Sequence, residues 1–161
     1  MKKVGFIIIV LCLCHAVFSQ ETADVKNEIK VNLFMTVLSF PDISYERVWE
    51  NNFGLGLSIG FPLESNNTNF RLLPYTRFYF GESLTKSFFI EANAAFESYK
   101  KHSYMSKTQN DLSFGLGVSF GYKYVNLKGL IGELFLGFGR TFDSENTKIY
   151  PRVGISLGKQ F

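Results

Sequence analysis

The sequence predicts an all-β protein, an eight-stranded antiparallel up-and-down transmembrane β-barrel. The first observation is strict period-two alternation, clearest over residues 53–61, where large apolar residues alternate with Gly or Ser. A helix would scatter these glycines around its circumference, where each is destabilising, so strands are predicted. The second observation is a composition of 17% aromatic and 19% charged residues, with no downstream apolar run long enough for a membrane-spanning helix.

The N-terminus has the pattern of a cleaved export signal over residues 1–19. Lys2 and Lys3 precede an apolar segment that ends at Cys14, and Ser19 provides a small residue at the expected cut. An anchor helix is the alternative, but the apolar segment is too short for one. Both cysteines leave with the signal, so the mature chain is predicted to lack disulfides and thiolate chemistry.

Residues 20–27 are predicted to form a short lead-in, and residues 28–161 the barrel. Alternating runs between turn signals predict eight strands. The predicted strands are 28–38, 43–50, 53–62, 70–80, 87–99, 111–125, 129–142 and 149–161. The longer connections, including 100–110, fall on one rim, and both chain ends fall on the other, which is typical of outer-membrane barrels.

Alternation alone does not say which face points outward. A lipocalin-like soluble barrel would place its large apolar side chains inside, whereas a membrane barrel places them against lipid. The positions that alternate with the large apolar residues, here called the polar parity, are mainly Gly and Ser, as at residues 113–121. Small residues suit a narrow lumen and make a poor water-facing surface, so the membrane orientation is predicted.

Most charged residues within the strands share this polar parity. They predict a balanced, inward-facing and structural network, because buried charges must be paired. Ordinary solvated surface pairs are the alternative. The predicted network comprises Lys30, Glu46, Arg71, Arg77, Glu91, Glu97, Glu133 and Arg152.

The opposite parity predicts a lipid-facing surface with aromatic residues at both membrane interfaces. The lipid-facing set is Ile29, Val31, Leu33, Met35, Val37, Phe53, Leu55, Leu57, Ile59, Phe61, Phe88, Ile90, Ala92, Ala94, Phe96, Leu134, Leu136, Phe138, Val153, Ile155 and Leu157. The interfacial aromatics are Tyr45, Trp49, Phe78, Phe80, Tyr122, Tyr124 and Tyr150. Pro74 and Pro151 interrupt strands, so bulges or missing ladder bonds are expected there, because a closed barrel has no free edge.

Little in the sequence indicates chemistry. The net charge of +3 falls to +1 once Lys2 and Lys3 are removed, which gives no basic patch for nucleic acid. No catalytic residue, cofactor site or metal site is predicted. His102 beside Ser103 is the one pair that a lipid A-modifying enzyme could use, and its position in a predicted loop favours an ordinary loop residue.

The order of several segments resembles a family of uncharacterised small outer-membrane β-barrels of Bacteroidota, a domain of unknown function similar in architecture to OmpA/OmpX-type barrels. The segments are residues 27–33, 44–47, 73–81 and 151–158. The alternating C-terminus that ends at Phe161 resembles an outer-membrane assembly signal, which implies delivery by the barrel-assembly machinery. The resemblance implies a fold and an outer-membrane location and adds no activity.

The sequence therefore predicts a small, non-enzymatic outer-membrane barrel with a structural or interaction role at the bacterial envelope. Its expected partners are outer-membrane lipid and the assembly machinery, and a monomer without nucleic acid is expected. A barrel that binds or passes a small hydrophobic ligand is the first alternative, and a lipid A-modifying enzyme is the second. A soluble periplasmic barrel is the remaining alternative.

Overall fold

The computed structural model describes residues 25–49, 52–63, 68–83, 85–103, 106–142 and 148–161. Eight antiparallel strands close into a barrel in sequence order, with β1 paired to β8. This confirms the predicted fold class. The strands are β1 Lys26–Asn32, β2 Asp42–Trp49, β3 Phe53–Gly60, β4 Thr68–Ser83, β5 Lys86–Ser103, β6 Ser106–Val125, β7 Leu130–Thr141 and β8 Ile149–Gln160.

The wall alternates as predicted between outward apolar and inward small or polar residues. In β3 the burial pattern switches at every residue, with Leu55 and Ile59 exposed and Ser58 buried. This orientation is opposite to that of a soluble ligand-binding barrel, which excludes the lipocalin-like alternative for the described wall. No helix in the described ranges is both long and apolar enough to cross a membrane.

The first strand is shorter than predicted, because residues 33–38 do not continue it. Helix α1, Leu33–Val37, begins at Asn32, whose side chain accepts a hydrogen bond from the Met35 amide. Asn is a preferred N-cap, and this signal outweighs the alternation that Leu33, Met35 and Val37 continue. These three residues are therefore not part of a lipid-facing strand.

Other boundaries also differ from the predicted ones. β1 begins at Lys26, inside the predicted lead-in. β5 and β6 continue as a hairpin to Ser103 and Ser106, so most of the predicted 100–110 loop is strand. The hairpin pairs Lys100 with Asn110, and such pairing satisfies the backbone groups that an open loop would leave to water.

The two prolines are accommodated without a bulge at either position. Pro74 pairs with Leu57 of β3, whereas its ladder to β5 is interrupted between Leu72 and Tyr75 with the register unchanged. Pro151 pairs with Phe138 of β7, and the β1 ladder stops at Ser156. The predicted lack of a free edge was wrong for Pro151, because the short β1 leaves this part of β8 uncovered.

Helix α1 occupies the place that a longer β1 would take beside β8. The Asn32 side-chain amide donates to the Val153 carbonyl at 3.1 Å, which satisfies one group on the uncovered edge. Phe34 lies against the same stretch of β8 and lines a surface groove with Val153 and Ile155. The seam between β1 and β8 is thus part ladder and part helix.

Candidate functional site

The lumen holds a network of buried charges that links strands from opposite sides of the barrel. Six of the eight sequence-predicted residues belong to it: Lys30, Glu46, Arg77, Glu91, Glu133 and Arg152. All six are buried, and each forms at least two ion pairs. The alternative of solvated surface pairs does not describe these six residues.

Lys30 forms the first centre of this network. Its ammonium group lies 2.7 Å from Glu133 Oε1 and 3.2 Å from Glu28 Oε2, and it also donates to Glu46. An oxygen from each of these three carboxylates lies within 4.8 Å of the others, an arrangement that could attract a metal ion. The ammonium already contacts all three, so it supplies the positive charge that a cation would bring.

Arg77 forms the second centre and connects three carboxylates. Its Nη1 lies 3.0 Å from an oxygen of both Glu46 and Glu133, and its Nε donates to Glu91 at 2.8 Å. The guanidinium carbon also lies 4.1 Å from the ring centre of Phe89. A planar guanidinium suits this role because its donors point in several fixed directions.

Arg152 extends the network across the lumen toward β2. Its Nε donates to Glu91 at 2.9 Å, and its Nη1 donates to Asp42 at 3.2 Å. Ser58 of β3 also donates to Asp42. β3 has no charged residue, so this hydroxyl is its link to the network.

Three charged members were missed at the sequence level: Glu28, Asp42 and Lys123. Lys123 Nζ lies 3.0 Å from Glu28 Oε1 and 3.9 Å from the ring centre of Tyr79. Parity would have identified Glu28 and Lys123, which share the inward parity of Lys30 and Gly121 respectively. Asp42 lies one residue outside the predicted strand 43–50, whereas the observed β2 begins at this residue.

The other two predicted residues, Arg71 and Glu97, form a separate ion pair. Their side chains are 18% and 17% exposed, and the described structure gives Arg71 no second carboxylate partner. Arg71 lies 5.3 Å from the ring centre of Phe40, toward the end of the lumen where β3 joins β4. Parity thus identified these two residues as inward-facing but did not show that they lie apart from the network.

Aromatic rings fill the space around the charges. Two buried clusters are Val48, Tyr79, Phe89 and Phe135, and Leu73, Tyr75, Ala95 and Tyr150. Tyr150 was predicted at the membrane interface, and that prediction was wrong: its side chain is buried, and its hydroxyl donates to Asn93 at 2.7 Å. The residue has the inward parity of Arg152, although its position near the strand end had favoured an interfacial role.

Glycines make room for these rings. A Cβ added to Gly139 would overlap the Tyr150 ring, and one added to Gly56 would overlap the Tyr75 ring. Glycine occupies many inward-facing positions because bulky side chains from other strands cross the narrow lumen there. In the described residues, ion pairs and rings occupy the interior where a hydrophobic ligand would have to pass.

His102 and the residues around it contribute no described chemistry. The backbone of His102 and Ser103 lies in β5, and their side chains fall outside the described part of the structure. The predicted signal segment, residues 1–19, also lies outside the described residues.

Two solved structures are similar to this chain in fold. The N-terminal β-barrel domain of Pseudomonas aeruginosa OprF aligns with a TM-score of 0.62 and 14% identity, over 88% of this chain and 100% of that domain. Neisserial surface protein A aligns with a TM-score of 0.53 and 13% identity, over 87% of this chain and 98% of that one. Identities this low support the fold and no shared activity.

No curated protein sequence matches the chain. One family model does match, and it covers nearly the whole chain, from residue 6 to residue 156. The chain therefore belongs to the family described as "Protein of unknown function (DUF3575)".

Proposed function

We propose that this chain is a small, non-enzymatic outer-membrane β-barrel with a structural or interaction role at the bacterial cell envelope. The observation that carries the proposal is the division between the two faces of the wall. Large apolar side chains such as Leu55, Phe120 and Leu136 are exposed around the outside, while ion-paired charges fill the inside. A bilayer covers such an outer face, whereas water would leave it exposed.

The closed ladder supports the same location. Each strand pairs with two neighbours, so lipid meets few backbone groups that lack a partner. Neisserial surface protein A, which shares the fold, is named as a surface protein. The proposal includes export by a cleaved signal, assembly by the barrel-assembly machinery and a monomeric state in lipid.

The filled lumen supports a role that needs no transport. Arg77 and Lys30 bring carboxylates from β2 and β7 together, so ion pairs cross the interior of the barrel. A general porin requires an open aqueous path, which eight strands filled by side chains do not provide. The body is then an anchor, and the loops opposite the chain ends are the parts available to partners.

Membrane fractionation with a heat-modifiability gel tests this proposal. We expect the protein in the outer-membrane fraction, as a band that migrates faster before boiling than after it. A matched sample treated with detergent alone controls for aggregation. Recovery of the folded chain in the soluble fraction without detergent would contradict the proposal.

A deletion strain addresses the role more directly. We expect the deletion strain to be more sensitive to detergents or bile salts. The wild-type gene and a His102→Ala variant should both restore resistance. Failure of the His102→Ala variant to restore resistance, despite normal folding, would instead favour the enzymatic alternative.

A further inference from the structure

A basic depression lies at the rim that carries both chain ends. It has a volume of about 600 Å³ and is lined by the β6–β7 turn, the beginning of β5 and Gln160. Lys86 and Lys128 contribute two ammonium groups, and none of its described lining residues is acidic. We call this depression the basic basin.

The turn that borders the basin is built by local hydrogen bonds. The Asn126 side chain accepts from the amides of Lys128 and Leu130, each at 2.9 Å, and Gly129 adopts a positive φ of 74°. This geometry exposes the Leu127 side chain completely at the tip. A fully exposed Leu beside two lysines suits the boundary between a lipid headgroup region and acyl chains.

An apolar groove begins next to the basin on the outward face. It has a volume of about 430 Å³ and spans β5 to β8. The register places Lys86 opposite Tyr124 and, at the next outward position, Phe88 opposite Tyr122, which lines the groove. Further along the wall the groove is lined by apolar side chains such as Phe120, Leu134 and Ile155.

Gly132 lies between the basin and the groove. It is paired with Tyr124 on one side and Leu157 on the other, and it has the outward parity of Leu130 and Leu134. A Cβ built at Gly132 would meet no atom within 4 Å. Unlike the lumen glycines, Gly132 therefore leaves open space on the outer wall, beside Tyr124 of the basin and one outward position from Leu134 of the groove.

We propose that the basin and the groove together bind one anionic glycerophospholipid. Its phosphate is held by Lys86 and Lys128, and one acyl chain passes over Gly132 into the groove. From Tyr124 to Phe120 the β6 wall is about 13 Å long, enough to hold much of an acyl chain. The proposal rests on the proposed membrane location, because short turns and chain ends mark the periplasmic, phospholipid-containing side.

Charge and shape favour a phospholipid over a soluble anion. The two ammonium groups attract a phosphate, and the adjoining groove adds an apolar path that inorganic phosphate cannot use. The lysine stems and Tyr124 also suit this boundary, because amphipathic side chains extend from lipid toward the headgroups.

Native mass spectrometry of the full chain released from nanodiscs tests the proposal. The nanodiscs contain phosphatidylcholine with a minor fraction of phosphatidylglycerol. We expect the wild type to retain one phosphatidylglycerol, and Lys86→Gln/Lys128→Gln to reduce retention about tenfold or more. Gly132→Leu places a bulky side chain where an added Cβ meets no atom within 4 Å, and it is expected to reduce retention similarly. Arg140→Gln/Lys148→Gln, near the opposite rim, is the control with the same change of charge and should retain the lipid.

Three outcomes would overturn the inference alone. These are equal retention by all inserted variants, loss in the lysine variant without loss in Gly132→Leu, and displacement of the lipid by millimolar inorganic phosphate. Heat modifiability of each variant establishes that it is folded and inserted. A wild-type chain that stays outside the nanodisc overturns the proposed function, and this inference with it.

Discussion

Two cross-strand Arg–Glu pairs on the same two strands behave differently in this barrel. Arg77 lies opposite Glu91, and Arg71 lies opposite Glu97, and the register of β4 and β5 does not shift between the two pairs. Arg77 and Glu91 are buried and bind further partners on β2, β7 and β8. Arg71 and Glu97 remain partly exposed and bind each other.

The difference arises from what the rest of the barrel places around each pair. Near Arg77, carboxylates from β2 and β7 meet the guanidinium, and the Phe89 ring excludes water. Near Arg71 the neighbours are the rings of Phe40 and Tyr150. The same kind of cross-strand pair therefore belongs to a buried network at Arg77 and Glu91, and is an isolated contact at Arg71 and Glu97.

The largest effect is expected from exchanging the charges of the central pair, Arg77→Glu with Glu91→Arg. The carboxylate introduced on β4 would face Glu46 and Glu133, and the guanidinium introduced on β5 would face Arg152. We expect the free energy of unfolding to fall by at least about 3–5 kcal/mol, or folding to fail. Urea titration of the barrel in phospholipid vesicles, read by gel shift, measures this change. Near-native stability would show that the central charges are not shared as described.

A smaller loss is expected from Glu133→Gln, which keeps the shape of the side chain and removes its charge. Glu133 contacts both Lys30 and Arg77, but each cation keeps other carboxylate partners. We expect a loss of about 1.5–3 kcal/mol in the same urea titration. Glu97→Gln is the matched control, and an equal loss in that variant would erase the distinction between the two sites.

The smallest effect is expected from exchanging the charges of the outer pair, Arg71→Glu with Glu97→Arg. Among the described residues no second carboxylate binds Arg71, so none of them would repel the carboxylate that the exchange places at this position. We expect a change of about 1 kcal/mol or less, since partly exposed ion pairs contribute little. Urea titration of this variant and of the Arg77→Glu/Glu91→Arg variant under the same conditions gives the direct comparison. If the two variants lost the same free energy of unfolding, Arg71 would belong to the same network as Arg77.

The sequence was sufficient for the architecture because alternation is a local property. Parity assigns each residue to a face, and it correctly directed Lys30, Arg77 and Glu133 inward. Which inward residues meet across the lumen depends on strand height and tilt, which parity does not contain. The separation of Arg71 from Arg77 was therefore not predictable in this way, whereas parity does direct Tyr150 inward and only its position near the strand end favoured the interface.

Helix α1 was missed for a related reason. Leu33, Met35 and Val37 continue the alternation of β1, so the pattern favours a strand over this stretch. The competing signal is a single Asn at an N-cap, with a bond to Val153, a residue more than a hundred positions away. A five-residue helix stabilised by an N-cap and by a contact with a distant strand shows no helical periodicity of apolar residues in the sequence.

The short β1 also makes the eight seams of the wall unequal. The ladder between β1 and β8 runs from Glu28–Gln160 to Asn32–Ser156, whereas that between β5 and β6 runs from Lys86–Tyr124 to Ser103–Ser106. Both junctions of β1, with β2 and with β8, carry far fewer cross-strand bonds than the β5–β6 junction, so breathing of the cylinder concentrates around β1. The cylinder thus has a built-in line of weakness along its first strand.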